Sequence, residues 1–295
     1  MIYDALIIGA GPAGISIAIN LKNKGFNVAI LEGSMPGGKV NIAPRVDNFP
    51  GYTKISGPDL AFAFFDKMNN AQISMFSCKV LDVIKEDNKF IIKTTGETYE
   101  CRALVVASGT DEKKLNLPNE NELLGHGLSY CAICDGHFFK DKVTTVVAED
   151  KYAISEALYL SNLCSHVYVI TKKDKLKGGK RLIDELNTHE NVSYIYNKEV
   201  VSLNGKPLEN ITLNDGSKLI TNGIFPLLGY IPNTQFLNFD IFDEDRFIKV
   251  NREYESDIKG LFAIGDVISR ELKQIYLAVI DAEKAANSVE NYLNS

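Results

Sequence analysis

Two cysteines separated by two residues, Cys131 and Cys134, form the pair of side chains best suited to chemistry in this sequence. A dithiol at this spacing closes a small, reducible disulfide, and one of its thiols is usually acidified for exchange with a second disulfide. Asp135 follows directly and could give a proton to the departing thiolate, although a carboxylate here could equally cap a turn or a short helix. Zinc is the competing interpretation, but a structural zinc site needs a second pair of ligands, and the remaining cysteines are isolated. The pair therefore predicts thiol–disulfide chemistry and no metal ligand.

A glycine-rich loop, GAGPAG at residues 9–14, directly follows a strand-like apolar run and opens a helix-like segment. Its glycines allow a tight turn and close backbone approach, and the N-terminus of the following helix attracts a pyrophosphate. Glu32 stands at the end of the next strand, where a carboxylate can accept ribose hydroxyl protons. The pattern predicts a dinucleotide-binding βαβ unit, with a purely structural βαβ turn as the alternative. The motif alone leaves open which dinucleotide is bound.

The chain contains an internal repeat of this unit. Residues 4–32 align without a gap with residues 143–171, and identities such as Ile15 with Ile154 and Ala18 with Ala157 fall in the helix. Self-similarity of this kind indicates that the same supersecondary unit was used twice. The sequence therefore predicts two nucleotide-type folds.

The second copy of the loop has lost its glycines. Ala148 and Asp150 stand where the first copy has Gly9 and Gly11, with Glu149 between them. A pyrophosphate there would face carboxylates, and one like-charge contact at about 4 Å in an effective dielectric near 20 costs roughly 4 kcal/mol. Either carboxylate could also cap the following helix, so the helix has a structural reason to persist without a ligand. The second site is predicted to be closed to dinucleotides.

Length and composition frame these motifs. The 295 residues, 45% hydrophobic and 24% charged, suggest about two domains of an ordinary globular protein. A net charge of −6 argues against general binding to nucleic acid or a membrane surface. The apolar run 5–8 begins too close to the start for a signal peptide, and five cysteines fit a reducing compartment, so we expect a cytoplasmic protein. The cysteines outside the dithiol are interpreted as buried small hydrophobic residues: Cys78, Cys101 and Cys164.

The order of apolar segments predicts an α/β fold. After the first βαβ unit, residues 74–84, 89–95 and 97–101 are interpreted as antiparallel strands, followed by a buried strand at 103–107. A strand at 261–264, the turn Gly265-Asp266 and a helix from about 274 to 293 complete the chain. We predict one domain from residues 1–112 and 243–295, with a central domain of residues 113–242 inserted into it.

Six short strings together resemble the low-molecular-weight thioredoxin reductases. They are GAGPAG (9–14), PGG (36–38), NFPG (48–51), CAICDG (131–136), GYIPN (229–233) and GLFAIGD (260–266). The resemblance covers nearly the whole chain. It implies two Rossmann-like, three-layer ββα domains of the flavin disulfide reductase type, the second inserted into the first, with FAD at the first glycine loop. It also implies a homodimer whose central domain moves between the flavin and the protein substrate, thioredoxin.

The resemblance assigns roles to individual residues. Cys134 is expected to face the flavin, Cys131 to attack the disulfide of thioredoxin, and Asp135 to act as the acid. The implied FAD contacts are Gly9, Gly11, Pro12, Ala13, Gly14, Glu32, Gly33, Gly38, Lys39, Asn48, Val80, Ala107, Ser108, Gly109, Gly265, Asp266, Lys273, Gln274 and Ile275. Lys39 stands where the family usually has glutamine, and Ile280 and Ala282 replace glycines of the closing helix.

This sequence departs from the NADPH-using members of the family in two motifs that bear on the electron donor. Those members carry GxGxxA and HRRxxxR in the central domain. Here the second string is TKKDKLK at residues 171–177. Lysines bind phosphate as point charges without the bidentate fork of arginine, so this segment alone leaves NADPH binding open. The combination resembles the pyridine-nucleotide-independent, ferredoxin-linked branch, in which reduced ferredoxin supplies FAD and no NAD(P)H is used. The basic residues Lys172, Lys173, Lys175 and Lys177 could dock an acidic ferredoxin or could be a solvated loop.

Two other functions remain open at this stage. One is an NAD(P)H-dependent thioredoxin reductase with an unusual nucleotide loop. The other is a flavoprotein redox sensor without turnover, against which the intact Cys131, Cys134 and Asp135 argue.

Overall fold

The chain forms two units, each built on its own β-sheet with a parallel core. The computed structural model describes residues 2–43, 45–150, 153–270 and 272–295. One unit consists of Met1–Asp111 and Ile231–Ser295, and the other consists of Glu112–Tyr230. The second unit is thus an insertion in the chain of the first.

The elements are numbered in chain order. The strands are β1 (Ile2–Ile8), β2 (Val28–Glu32), β3 (Ser74–Ser77), β4 (Val80–Glu86), β5 (Lys89–Thr94), β6 (Thr98–Val106), β7 (Thr110–Glu112), β8 (Val143–Ala148), β9 (His166–Ile170), β10 (Val192–Ile195), β11 (Val200–Asn204), β12 (Asn210–Leu213), β13 (Lys218–Ile220), β14 (Gly223–Leu227), β15 (Tyr230–Pro232) and β16 (Leu261–Ala263). The α-helices are α1 (Pro12–Asn23), α2 (Gly57–Asn70), α3 (Glu120–Leu123), α4 (Ala132–Asp135), α5 (Ala153–Ser161), α6 (Lys180–Leu186) and α7 (Ile275–Leu293). Short 3₁₀ turns cover Gly38–Ile42, Gly136–Phe139 and Gly265–Val267.

The central strand β1 organises the first unit. It pairs in parallel with β2 on one side and β6 on the other, with Ala5 opposite Val28 and Ala103. The apolar run 5–8 is buried, which is typical of a parallel strand covered on both faces. The helix α1 begins at Pro12, whose missing N–H is not needed in a first turn, and buries Ile15 and its apolar neighbours. This geometry places the glycine loop at the carboxyl end of β1.

The segment 74–84 is not one antiparallel strand as predicted. The chain forms β3, which pairs in parallel with β2, and then β4, which pairs antiparallel with β5. The break falls at Cys78 and Lys79. The Cys78 N–H still bonds to Glu32 O at the end of β2, whereas the Lys79 N–H bonds to Thr95 Oγ1 just past β5. The predicted strands 97–101 and 103–107 are one continuous strand, β6.

The second unit repeats the architecture of the first. Its parallel sheet has the order β10-β9-β8-β14, and an antiparallel sheet has the order β11-β12-β13. The β8-α5-β9 segment occupies the same topological position as β1-α1-β2, and β14 pairs with β8 as β6 pairs with β1. The two Rossmann-like domains predicted from the repeat are therefore present.

One domain boundary lies earlier than predicted. Residues 231–242 were assigned to the central domain, but they belong to the first unit. The reason is packing, because Leu237 and Ile241 are buried in the apolar core on one face of the first unit's sheet. Within the described part of the chain, no helix is long and apolar enough to cross a membrane.

Candidate active site

The two cysteines predicted to form a dithiol are bonded to each other. Cys131 and Cys134 form a disulfide with their Cα atoms 5.3 Å apart. The bridge spans the start of α4, where the Cys134 N–H lies 3.1 Å from Cys131 Sγ and the Asp135 N–H donates to the Cys131 carbonyl at 3.1 Å. Cys134 is exposed and Cys131 is half-buried. The disulfide is therefore open to exchange from solvent.

A buried serine links both ends of the dithiol segment. Ser129 Oγ accepts from the Cys131 N–H at 3.1 Å and donates to Asp135 Oδ2 at 2.6 Å. The Asp135 carboxylate is thus held within the same turn as the disulfide, where a proton donor for a departing thiolate is needed. Ser129 was not singled out from the sequence, although its place two residues before Cys131 was the available signal.

The remaining cysteines take no part in this disulfide. Cys78, Cys101 and Cys164 are free and buried, as predicted. Burial raises the pKa of the Cys101 thiol to about 12, so its reactive thiolate form is scarce at neutral pH.

Each glycine of the first loop has a distinct steric role. A Cβ on Gly9, whose φ is +105°, would lie 2.5 Å from the Ala107 carbonyl oxygen, and one on Gly14 would lie 1.8 Å from the Gly9 carbonyl oxygen. A Cβ on Gly11 would meet none of the described atoms within 4 Å. The loop is therefore tightly packed at Gly9 and Gly14, and the space next to Gly11 at the α1 N-terminus is open. A pyrophosphate requires such a space.

Glu32 lies beside this loop. Its Oε2 accepts from the Ala10 N–H at 2.6 Å and its Oε1 from the Ser34 N–H at 2.7 Å. The carboxylate is thus placed at the end of β2, next to the glycine turn, as the motif predicted. Its contact with a ribose stays a prediction.

Of the other predicted FAD contacts, Gly265 and Gly38 lie against the glycine loop, and several of the rest form contacts elsewhere in the first unit. A Cβ on Gly265 would lie 3.0 Å from the Ala13 Cβ, and one on Gly38 would lie 3.6 Å from the Gly11 Cα. Further pairs are Asn48 Nδ2 with Gln274 Oε1 (2.8 Å), Lys273 Nζ with Asp266 O (2.8 Å), Lys39 Nζ with Thr110 Oγ1 (3.2 Å) and Ser108 Oγ with Asn233 O (2.6 Å). Gly109 O accepts from the Asn233 N–H. Gly33 packs on Lys79, next to the buried Val80. Ile275 packs against the small apolar cluster around Val40.

A buried carboxylate that was not predicted holds the Gly265 turn. Asp281 on α7 accepts from the Gly265 N–H at 3.0 Å and from the Tyr254 hydroxyl at 2.8 Å, and it pairs with the Arg270 guanidinium. The side chain of Asp281 is 5% exposed and that of Arg270 is 15% exposed. Helical spacing was the available signal, because Asp281 shares its helix face with Ala278 and Ala285.

Replacing Asp281 by alanine is expected to lower the free energy of unfolding by about 3 to 5 kcal/mol, because it leaves the Arg270 charge buried without its partner. The Gly265 turn should loosen as well, so the purified variant should carry less flavin. Chemical denaturation and the flavin-to-protein absorbance ratio measure these effects. Glu283→Ala on the exposed side of the same helix is the matched control and should change stability by less than about 1 kcal/mol. Equal stability of the two variants would contradict the role given to Asp281.

In the second loop, the carboxylates Glu149 and Asp150 stand where the first loop has Ala10 and Gly11. Glu149 Oε1 accepts from Thr171 Oγ1 at 3.1 Å and from the Lys172 N–H at 2.7 Å, at the end of β9. Thr171, which follows β9, aligns with Glu32 at the end of β2 in the first unit. Asp150 Oδ2 lies 2.9 Å from where a Cβ on Gly229 would be. Lys151 and Tyr152, the other residues of this loop, lie outside the described residues.

The basic segment after β9 is exposed. Lys172, Lys173, Lys175 and Lys177 are all solvent-accessible. The Lys172 ammonium pairs with Glu199 at 2.5 Å. Three further lysines of the segment thus present positive charge to solvent.

Comparison with known proteins places the chain in a family. The family model described as pyridine nucleotide-disulphide oxidoreductase matches residues 3–282. A thioredoxin reductase of Bacillus subtilis (strain 168) is 35% identical over 301 aligned positions, covering 99% of this chain and 95% of the relative. The crystal structure of thioredoxin reductase from Streptococcus pyogenes MGAS5005 has a TM-score of 0.92 and 32% identity, covering 99% of this chain and 98% of that one.

A third similar protein carries a more specific description. A ferredoxin-flavin thioredoxin reductase from Clostridium acetobutylicum is 33% identical, with a TM-score of 0.55 and coverage of 99% of both chains. Two nucleotide-type units with a redox disulfide define a pyridine nucleotide-disulphide oxidoreductase. Within that class, the chain belongs to the thioredoxin reductase family. The resemblance found in the sequence is confirmed at this level.

Proposed function

We propose that this thioredoxin reductase takes its electrons from a reduced ferredoxin and holds FAD at the Gly9–Gly14 loop. The observation that carries the proposal is the bonding of Glu149, whose carboxylate occupies the end of β9 where a nucleotide's ribose would be recognised. A nicotinamide dinucleotide would have to displace this carboxylate and pass Asp150. A donor that needs no nucleotide site avoids both obstacles.

The residues of the first unit fit FAD. The open space in front of Gly11 suits a pyrophosphate, and Glu32 stands where a ribose hydroxyl would be accepted. When bound, FAD supplies the ability to accept electrons singly and to pass two to a disulfide. The contact residues implied by the resemblance are proposed to hold it, including the Gly265 turn and Lys273.

The protein side chains then carry out the disulfide exchange. Cys131, as a thiolate, is proposed to attack a sulfur of the thioredoxin disulfide and form a mixed disulfide. Attack by Cys134 on Cys131 breaks that bond and restores the internal disulfide, releasing thioredoxin with two thiols. Asp135, held by Ser129, gives the proton that the departing thiolate needs.

The basic segment supports a protein donor. Lys173, Lys175 and Lys177 are exposed on a chain whose net charge is −6, so they form a local positive area. An acidic ferredoxin would be attracted to it at low ionic strength. The same lysines also favour the second candidate, a thioredoxin reductase that uses NAD(P)H despite its altered loop, because lysine binds phosphate.

An anaerobic comparison of donors tests the proposal. The flavin-loaded protein is mixed rapidly with reduced ferredoxin, NADPH or NADH, and the visible absorption of the flavin is followed. We expect bleaching by reduced ferredoxin and none by either nicotinamide alone. Dithionite serves as the control for a reducible flavin. Rapid bleaching by NADPH or NADH would establish the second candidate instead.

Turnover separates both candidates from a redox sensor. With ferredoxin kept reduced, the enzyme should generate thioredoxin thiols continuously, which a chromogenic disulfide reports. A single stoichiometric burst would indicate a sensor.

A further inference from the structure

A carboxylate on α5 contacts the dithiol segment, residues 131–136. Glu156 Oε2 accepts from the backbone N–H of Ala132 at 2.6 Å. Ala132 lies between the two cysteines and is fully buried, with 0% of its surface exposed. The disulfide exchange described above gives this carboxylate no role, and no sequence motif includes it.

The same helix supports the other end of the dithiol segment. A Cβ on Gly136 would lie 2.9 Å from Tyr159 Cε1 and 3.0 Å from Leu160 Cδ2. The chain after Cys134 therefore packs directly on α5, one turn beyond Glu156. Both contacts lie within one unit, and together they fix the backbone that carries the two sulfurs.

The surroundings of Glu156 are acidic. It lines a small cavity together with Glu112, Tyr130 and Asp150. The Tyr130 hydroxyl donates to Glu120, and Asp135 on the dithiol segment is held by Ser129. Lys113 supplies a cation on this side of the cavity, with its Nζ 3.6 Å from the Cβ position of Gly229, where Asp150 Oδ2 also approaches.

These surroundings disfavour the charged form of Glu156. Burial raises the pKa of Glu156 to about 7, helped by the charge of Asp150 and opposed by the hydrogen bond from Ala132. The carboxyl group therefore changes its charge in the pH range in which a thiol of a dithiol active site also ionises. Two such groups on adjoining elements influence each other's protonation.

We propose that Glu156 is a positioning residue that fixes the dithiol through Ala132 and couples its own charge to the ionisation of the reduced cysteines. Two electrons break the bond between the sulfurs, and uptake of one proton leaves one thiol and one thiolate. A neutral Glu156 leaves that thiolate unopposed, whereas an ionised Glu156 opposes it. This role concerns the dithiol alone and holds whichever donor supplies the electrons.

Thiol reactivity measures the coupling without turnover. The flavin-loaded protein is reduced with dithiothreitol, freed of reductant under argon and treated with limiting iodoacetamide between about pH 5 and pH 9. Alkylation of Cys131 is then quantified by peptide mass spectrometry. In Glu156→Gln, whose amide oxygen can still accept from Ala132, the apparent pKa of Cys131 should fall by about 0.5 to 1 unit. Its alkylation should match the wild type near pH 6, where Glu156 is mostly neutral, and should be faster by up to roughly three- to ten-fold above about pH 7, where the wild-type carboxylate is ionised.

A matched variant distinguishes this effect from a general change in charge. Glu185→Gln removes an exposed carboxylate on α6, which pairs with Arg181, and should leave the Cys131 profile unchanged. An unchanged profile in a folded, flavin-loaded Glu156→Gln protein would overturn the proposal. If that variant does not fold, the wild-type profile decides. Coupling requires a curve broader than one ionisation, with an inflection near the Glu156 pKa, and a single-ionisation curve would reject it.

Discussion

Replacing Cys131 by serine is expected to abolish thioredoxin reduction while leaving the bound flavin reducible by its donor. Serine is a poor nucleophile towards disulfide sulfur, and the three cysteines outside the pair are buried. Cys134 remains as an exposed thiol, but its proposed partner is the flavin and not the thioredoxin disulfide. The expected loss in turnover is on the order of 10⁴-fold or more, because the nucleophile itself is removed. Steady-state thioredoxin reduction measures the loss, and anaerobic flavin bleaching shows that the first half of the reaction persists.

The corresponding change at Cys134 has a different signature. Cys134→Ser keeps the attacking thiol but removes the one that resolves the mixed disulfide, so a covalent adduct between Cys131 and thioredoxin should accumulate on a non-reducing gel. Cys164→Ser is the control, since Cys164 is a buried free thiol of the same unit and should retain turnover within a few-fold. An adduct that forms through Cys134 in the Cys131→Ser protein would reverse the two assignments.

The dithiol and the first glycine loop could be predicted because their chemistry is local in sequence. Cys131 and Cys134 are three positions apart, so one turn suffices to join them. In the loop, Gly14 must be small because it packs on Gly9 within the same turn. In both cases these contacting residues are also neighbours along the chain, so a short motif contains them.

The residues that support these motifs could not be predicted in the same way. Glu156 reaches Ala132 and Asp281 reaches Gly265 through contacts that exist only after the helices α5 and α7 have packed. A carboxylate in a helix is ordinarily read as a solvated side chain, so its type alone gives no signal. For Asp281 the helical period was a partial signal, because the residue falls on the buried face of α7.

Strand assignment in the region 74–84 failed for a related reason. Period-two alternation predicts strands but does not predict which strands pair. The choice of partner is made by the residues at the break, where Cys78 bonds to the end of β2 and Lys79 to Thr95. A two-residue interruption therefore divides a parallel strand from an antiparallel hairpin.

The second loop combines a local signal with a distant contact. The loss of glycine at Ala148 and Asp150 was visible in the repeat, and it predicted exclusion by repulsion. The structure adds that Glu149 accepts two hydrogen bonds at the end of β9, so a nucleotide would also have to break them. The proposed exclusion of the nucleotide thus combines charge repulsion with competition for these hydrogen bonds. Replacing Glu149 and Asp150 should remove both.

Replacing Glu149 and Asp150 together by glycine is expected to create binding of NADPH to the second unit. One like charge at about 4 Å in an effective dielectric near 20 costs roughly 4 kcal/mol, so affinity should rise by about 10²- to 10³-fold or more. The lysines after β9 are retained to bind phosphate. Isothermal titration of the flavin-loaded protein with NADPH measures the change.

The control for this variant must remove the same charge elsewhere. Asp184→Asn combined with Glu185→Gln removes two exposed carboxylates from α6 and should leave NADPH binding as weak as in the wild type. Each added glycine should lower the free energy of unfolding by at most about 1 kcal/mol through chain entropy. A thermal unfolding curve measures this loss. If the wild type binds NADPH as tightly as the opened variant, the two carboxylates do not exclude the nucleotide and the ferredoxin proposal loses its main support. Tight binding by the opened variant alone would assign the exclusion to Glu149 and Asp150.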